Sequence, residues 1–320
     1  MVKVSVCIPT YNRVHYLAEA IASVQQQTFT DWEVLVCDDG SKDATPDFMA
    51  GLKDNRIRYL RHEQNIGKSN NMISGYQAAQ GAYFIKFDDD DRLTPDFLDK
   101  TAAILDQHPE IDLVSTDHWV INSESQRELV LTDQNSARWG RTTLPVGTIE
   151  NLTTRTFDQQ SLQIGATLFR KRVLDEVDYM RPNLQNCEDN DLLVRLALAG
   201  KQAYYLPERL MEYRFHPEQQ GIGRAIPYLR DKIQYLKLYE FTDSQLENLR
   251  QRRLQEAQLM LGLRLVEAGN TTEGKALLQQ GRAYSAPKAK IGQLIAAFPP
   301  AVRPWLFAVL RRLKPTPSPS

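Results

Sequence analysis

Cysteine is scarce in this chain: three residues, Cys7, Cys37 and Cys187, stand far apart among 320. That spacing fits no disulfide framework, and two of the three lie in apolar, strand-like runs, as buried free thiols of a reducing compartment do. Also missing are a basic-then-apolar leader and any apolar run long enough to cross a bilayer. The expected location is therefore cytoplasmic, or peripheral on the cytosolic face of a membrane. Net charge is absent as well, with 39 Lys plus Arg against 40 Asp plus Glu. Without zinc-finger spacing or a basic run interleaved with aromatics, nothing recruits nucleic acid. Charge of one sign does disappear locally: after Glu273 there is no acidic residue, whereas Lys275, Arg282, Lys288, Lys290, Arg303, Arg311, Arg312 and Lys314 are all basic.

What the chain does have is Y-F-I-K-F-D-D-D-D-R-L-T-P, from Tyr83 to Pro95. Tyr83, Phe84, Ile85 and Phe87 read as a buried strand of an α/β sheet, and it ends in Asp88, Asp89, Asp90 and Asp91. Four consecutive aspartates repel one another. A hard divalent cation, with the phosphate it carries, offsets that cost at the strand end where open α/β sheets place their ligands. A solvated acidic turn before the helix near Pro95 is the competing reading.

Around this stretch, strands alternate with helices. Val2 to Pro9 alternates Val2, Val4, Val6 and Ile8 on one face, and Leu17, Ile21 and Val24 stand at helical spacing. Trp32 to Cys37 is a second strand, Thr45-Pro46-Asp47 opens a helix, and Ile57 to Leu60 is a third strand. A helix from Asn65-Ile66-Gly67-Lys68 delivers the chain to the Tyr83 strand. After it come a helix with Leu98, Ala102 and Leu105, and a strand from Ile111 to Thr116. The pattern predicts a mostly parallel sheet with helices on both faces.

From Asp117 to Gln160 periodicity fades, as in loops over the mouth of a site. Strands at Leu162 to Phe169 and Tyr204 to Leu206 follow, with a helix led by Glu188-Asp189-Asn190-Asp191 between them. Beyond Pro227 the pattern is helical, which sets expected domains of 1–226 and 227–320. Ala257 to Pro287 reads as a helix hairpin turning at Ala268-Gly269-Asn270. In the tail, Val302, Trp305, Leu306, Val309, Leu310 and Leu313 form one helical stripe. A helix of that length, about 20 Å, is too short to span a bilayer, so it either lies on anionic headgroups or packs on protein.

Three acidic sites, Asp38-Asp39, Asp88 to Asp91 and Glu188-Asp189, fall where such a sheet brings them to one edge. Asp38 or Asp39 is suited to accept hydrogen bonds from a base or ribose, although D-D-G-S is also an ordinary tight turn. The aspartate run can hold Mg2+ or Mn2+ across a diphosphate. The acidic residues at 188–191 also suit a helix first turn, and a capped helix end is a rigid mount.

The ordered series S-V-C-I-P-T-Y-N-R, V-L-V-C-D-D-G-S, N-I-G-K-S-N, Y-F-I-K-F-D-D-D-D, E-D-N-D-L and Y-R-F-H resembles the family-2 inverting glycosyltransferases of the GT-A fold. The resemblance covers roughly Val2 to Gln220. It implies transfer of a sugar from a nucleotide-diphosphate donor to an acceptor hydroxyl, with inversion and a divalent metal, in polysaccharide or glycoconjugate synthesis on a glycan or lipid-linked acceptor.

Carried over, Pro9, Thr10, Tyr11 and Arg13 line the nucleotide pocket, with Asp39 on the base or ribose, Asp88 on the ribose and Asp89 beside it. Asp90 becomes the metal ligand and His216 a second metal or diphosphate contact. Asp189 becomes the general base, with Glu188 its neighbour. One departure stands out: Met72 and Ile73 occupy places where many relatives carry Arg-Asn, leaving Lys68 as the nearby basic replacement.

Two other classes compete. A sugar-nucleotide nucleotidyltransferase calls for a Gly-rich phosphate loop after the first strand, which Pro9-Thr10-Tyr11-Asn12-Arg13 is not. A non-catalytic sugar-nucleotide-binding protein would have lost its base or metal carboxylates, and both are present.

Overall fold

The structure is a computed structural model describing residues 2–215 and 222–312, without the side chains of 222–224 and 310–312. His216 and Leu313 lie outside the described residues. Two compact units divide the chain, Met1–His216 and Pro217–Ser320.

In the first unit the order is β1 (Val4–Thr10), α1 (Val14–Gln25), β2 (Trp32–Asp38), α2 (Thr45–Gly51), β3 (Ile57–Arg61), α3 (Lys68–Ala78), β4 (Tyr83–Lys86), β5 (Arg92–Leu93) and α4 (Phe97–Gln107). There follow β6 (Leu113–Ile121), α5 (Leu129–Arg138), β7 (Gly147–Thr148), β8 (Thr167–Arg170), α6 (Lys171–Asp175), α7 (Glu188–Leu198) and β9 (Ala203–Arg214). One sheet runs β3-β2-β1-β4-β8-β6-β9-β5, with β7 on β9. β1 pairs in parallel with β2 and β4, and β2 with β3, as the alternation predicts. β8 is the antiparallel insert between β4 and β6.

Strand residues alternate between two apolar layers. Val4, Val6, Ile8, Val34, Val36, Ile85 and Phe87 face α1 and α4, meeting Leu17, Ile21, Leu98 and Leu105. Cys7, Leu35, Cys37 and Phe84 face α3 and α7, meeting Met72, Tyr76, Leu192 and Leu196. A sheet covered on both faces needs strands apolar at every position, which is why β1, β2 and β4 read as continuous runs. α3 seats closely because Gly75 lies on the two thiols: a Cβ there would stand 2.4 Å from Cys7 Sγ and 2.3 Å from Cys37 Sγ. The cysteines are free and buried.

The stretch 117–160 holds more structure than its sequence announces. β6 runs on to Ile121, α5 follows, and a π-helical turn spans Thr154–Asp158. α5 has no apolar stripe because the residues it buries are Thr132 and Ser136, while Leu129, Val130 and Leu131 are exposed. Conversely, the first half of the expected strand at Leu162 is a 3-10 turn, Ile164–Ala166, and only Thr167–Arg170 pairs. The strand expected at Tyr204 to Leu206 continues to Arg214. Pro207 and Glu208 look like a stop but are looped out, the register passing from Thr116↔Leu206 to Asp117↔Arg209.

The second unit is helical where described: α8 (Ile222–Lys237), α9 (Ser244–Glu267), α10 (Thr271–Gln280), α11 (Ala286–Ile295) and α12 (Arg303–Arg312). α9 and α10 form the hairpin, turning at Gly269 with φ +98° and capped by the Asn270 side chain on Glu273 N. In α12 the expected stripe divides. Leu306 and Phe307 pack on Leu259, Leu278 and Ile295, whereas Val302 and Trp305 are exposed. The Arg303 guanidinium donates to the Phe298 and Ala296 carbonyls and fixes how the helix is turned.

Candidate active site

β1, β2 and β4 deliver their carboxyl ends to one edge of the sheet. The chain order reverses between β1 and β4, the crevice where open α/β sheets bind ligands. Thr10, Asp38 and Lys86 end these strands, and Phe87-Asp88 follow directly. The loop after β1 takes left-handed geometry at Asn12, φ 56°, which asparagine tolerates. Asn12 N donates to Ser41 Oγ at 2.9 Å, and Asn12 Oδ1 accepts from Lys42 N at 2.7 Å. The loops after β1 and β2 are thereby joined.

Asp38 is sealed inside and accepts from Ser41 N at 2.8 Å and from the Tyr59 hydroxyl. Asp39 accepts from Ile66 N at 2.7 Å and Gly67 N at 3.1 Å. Both therefore shape the crevice walls, and Asp39 holds the segment that starts α3. That start needs glycine: Gly67 has φ +89°, and a Cβ there would meet the Gln185 amide at 2.5 Å. Gln185 Oε1 in turn accepts from Ser69 N at 3.2 Å, which brings the loop before α7 onto the N-terminus of α3.

The aspartate run sits inside this frame. Asp89 accepts from Thr10 Oγ1 at 2.7 Å, and Arg13 reaches Asp89 at 3.4 Å and Asp90 at 2.7 Å. Burial, then the Asp90 charge, push the Asp89 carboxyl up to about 7, with Arg13 and Thr10 opposing. Burial also lifts Asp91, aided by Asp90 and Asp88. Asp88 differs: burial acts to raise it, yet Lys68 and Lys86 hold it well below the usual carboxylate range. Pro9 is buried and Tyr11 exposed beside these residues.

Lys86 is the residue that sequence reasoning missed. It is fully buried, and its ammonium stands 2.9 Å from Asp88 Oδ2 and 3.2 Å from Asp189 Oδ2. Lys68 makes a second bridge, 3.5 Å from Asp88 and 3.1 Å from Glu188. The aspartate turn and the first turn of α7, a hundred residues apart in sequence, are thus one charged cluster. Within it, Asp189 Oδ1 is buried with no hydrogen-bond partner among the described residues. A lysine inside an apolar strand, on the Phe84 side that faces α3 and α7, was the available signal.

Asp191 is structural: it is buried and ion-paired to Arg195 at 2.7 Å and Arg181 at 3.1 Å. Behind the aspartates lies buried Arg214, likewise unforeseen. Its N–H donates to Asp91 Oδ1 at 2.9 Å, its Nε to the Asp90 carbonyl at 2.7 Å, and its guanidinium meets Glu19 at 2.9 Å. Met72 is buried in the α3 layer.

Among the described residues no three metal-binding side chains converge. A cation borne by a diphosphate needs only one or two carboxylates, the rest of its shell being phosphate oxygen and water. Burial first, and then the neighbouring aspartate charge, raise Asp89 and Asp91, and an added cation would offset that charge.

A mostly parallel sheet whose crevice gathers aspartates, lysines and a partly exposed carboxylate at a helix mouth is an α/β domain of the GT-A type. The family model "Glycosyl transferase family 2" matches residues 5–177, and the chain belongs to that family. The chain is 30% identical over 122 residues to an Escherichia coli protein, "UDP-Glc:alpha-D-GlcNAc-diphosphoundecaprenol beta-1,3-glucosyltransferase WfgD", covering 38% of this chain and 48% of that one. Four curated relatives are spanned over only 24% to 48% of their own length.

Among solved structures, S. aureus TarS 1-349 in complex with UDP-GlcNAc superposes with a TM-score of 0.65 at 17% identity, over 96% of this chain and 92% of that one. Mannosyltransferase PcManGT from Pyrobaculum calidifontis, in complex with GDP-Man and Mn2+, gives a TM-score of 0.57 at 16% identity, over 97% and 86%. At such identities the likeness is one of fold.

Proposed function

We propose that the protein is an inverting, metal-dependent glycosyltransferase that moves a sugar from a nucleotide-diphosphate donor to a hydroxyl of a glycan or lipid-linked acceptor. The observation that carries this reading is Asp189: Lys86 holds one carboxylate oxygen, and the other is left without a partner beside the aspartate turn. Asp189 Oδ1 takes the acceptor hydroxyl proton as the acceptor's own oxygen attacks the anomeric carbon on the face opposite the diphosphate. The bond from that carbon to the phosphate oxygen breaks, a nucleoside diphosphate leaves, and the configuration inverts.

Asp88 orients the ribose, and Pro9, Thr10, Tyr11, Arg13 and Asp89 line the nucleotide side. Asp38 and Asp39 keep the crevice walls in register, and Lys68 lies where negative charge builds on the leaving diphosphate. Asp90 would hold Mg2+ or Mn2+, which when bound stabilises that same charge. His216 belongs to this proposal by sequence alone. That WfgD is named for a diphosphoundecaprenol acceptor supports a lipid-linked acceptor here as well.

The test is a donor panel scored by thermal shift with Mn2+, followed by transfer assays on Asp189→Asn. Expected is donor affinity within about threefold of wild type and turnover lower by ~10²-fold or more. Near-normal turnover in that variant would refute Asp189 as base. No sugar-nucleotide binding by the wild type would refute the function.

A further inference from the structure

α11 and α12 are apolar on two sides. Inward, Ala289, Ile295, Ala296 and Phe307 join Leu259, Val266 and Leu278 in a buried cluster. Gly292 lets α11 lie flush, since a Cβ there would stand 2.7 Å from Leu263 Cδ2 and 2.8 Å from Leu278 Cδ1. Outward, Ile291, Leu294, Phe298, Val302 and Trp305 are exposed, Leu294 and Trp305 at 67% and 64%. This line of exposed apolar residues recurs every three or four positions in sequence, with Ile291 and Leu294 on α11, Phe298 and Val302 at the Pro299-Pro300 corner, and Trp305 on α12. The Arg303 bonds to the Phe298 and Ala296 carbonyls brace that corner, so the line is held by built structure.

The charge carried by the stretch that forms this line has one sign. Arg282, Lys288 and Lys290 are exposed, and the sequence has no acidic residue after Glu273. A two-fold contact with a second copy would set these cations near their own images. A surface that accepts apolar side chains and supplies dense negative charge is an anionic lipid bilayer, whose headgroup region also favours Trp. Among the described residues no helix is long and apolar enough to cross a membrane.

We propose that the outer face of α11 and α12, centred on Leu294, Phe298 and Trp305 and flanked by Lys288 and Lys290, is a docking surface for anionic phospholipid bilayers. It deepens the lipid-linked acceptor part of the proposed function and leaves the transfer chemistry untouched.

The experiment is co-sedimentation of the full-length protein with vesicles of phosphatidylglycerol plus phosphatidylcholine, or of phosphatidylcholine alone. The variants are Leu294→Ser with Trp305→Ser, and Lys288→Gln with Lys290→Gln. Wild type is expected on the anionic vesicles and released by high salt. The apolar pair should lower partitioning by ~10-fold or more, and the lysine pair by ~10-fold on anionic vesicles alone. All variants should transfer sugar to a water-soluble acceptor as wild type does. That arm separates failure of the docking surface from failure of the enzymatic reading. Wild type that stays in the supernatant with both vesicle types, or both variants binding as wild type does, would overturn the proposal. So would a wild-type dimer that the Leu294/Trp305 pair dissolves without any vesicle binding.

Discussion

Replacing Lys86 by Met keeps the stem's volume and removes the ammonium that holds Asp189 Oδ2 at 3.2 Å and Asp88 Oδ2 at 2.9 Å. A hydrogen bond to a charged group contributes about 1.5–3 kcal/mol. At about 1.4 kcal/mol per factor of ten, loss of the Asp189 bond corresponds to ~10- to 100-fold in kcat. Both aspartates keep partial contact with water, which sets the expectation near the lower end, ~10- to 30-fold. Donor KM should move less, because Lys68 still faces Asp88 at 3.5 Å. The assay is steady-state transfer with each substrate varied in turn, beside an unfolding curve to verify the fold. A double variant adds the stricter condition: if Lys86 acts through Asp189, then Lys86→Met costs little more in the Asp189→Asn background. A kcat within about threefold of wild type in folded Lys86→Met, or full additivity in the double variant, would refute the assignment.

Gly75→Ala presses a methyl against both thiols of the β1–β2 layer and should lower stability by about 1–3 kcal/mol in urea unfolding, with partial recovery when Cys37→Ala is added. His118 is buried beneath α5, facing Asp117, Asn135, Arg141 and Arg209. Burial first, then the Arg141 charge, push its pKa down to about 3, with Asp117 opposing. Its folded pKa thus lies below the unfolded value of about 6.5, so the unfolded chain binds the proton first. This group adds nothing to the pH dependence above about 6.5 and removes up to ~1.4 kcal/mol per pH unit as pH falls below it. His118→Gln should therefore lose stability less steeply than wild type between pH 6.5 and about 4 in denaturant titrations. Parallel curves for the two proteins would contradict that.

The parts of the fold that were legible in sequence are those with a periodic signature. β1, β2 and β4 announce themselves because both faces are buried, and α1 and α4 because they present an apolar stripe to the sheet. α5 was illegible for the converse reason: it buries threonine and serine and exposes leucines. β9 was cut short because Pro207 reads as a terminator, although a looped-out pair carries the strand on to Arg214. The candidate site divides in the same way. Asp88 to Asp91 and Glu188-Asp189 stand out as local clusters of charge, whereas the bridge from Lys86 to Asp189 and the bonds of Arg214 to Asp91 and Glu19 join residues far apart in sequence, and pairing at that separation leaves no local pattern.

Those two residues change what the aspartate run means. Read alone, four adjacent carboxylates repel one another and call for an external cation. In the folded chain Arg13 takes Asp89 and Asp90, Lys68 and Lys86 take Asp88, and the backbone and guanidinium of Arg214 hold the turn from behind. The protein's own cations therefore offset part of the repulsion, while burial, and second to it the neighbouring aspartate charges, keep the Asp89 and Asp91 carboxyls raised. If the turn is already held by protein cations, a divalent ion is required for the donor's diphosphate and not for the fold. Chelation should then abolish donor binding while leaving the urea midpoint of the donor-free protein unchanged, and Asp90→Asn should weaken Mn2+-dependent donor binding without unfolding the chain. A large fall in stability on chelation, with no donor present, would show that the cation is structural and that the ion pairs of Arg13, Lys68 and Lys86 do not suffice.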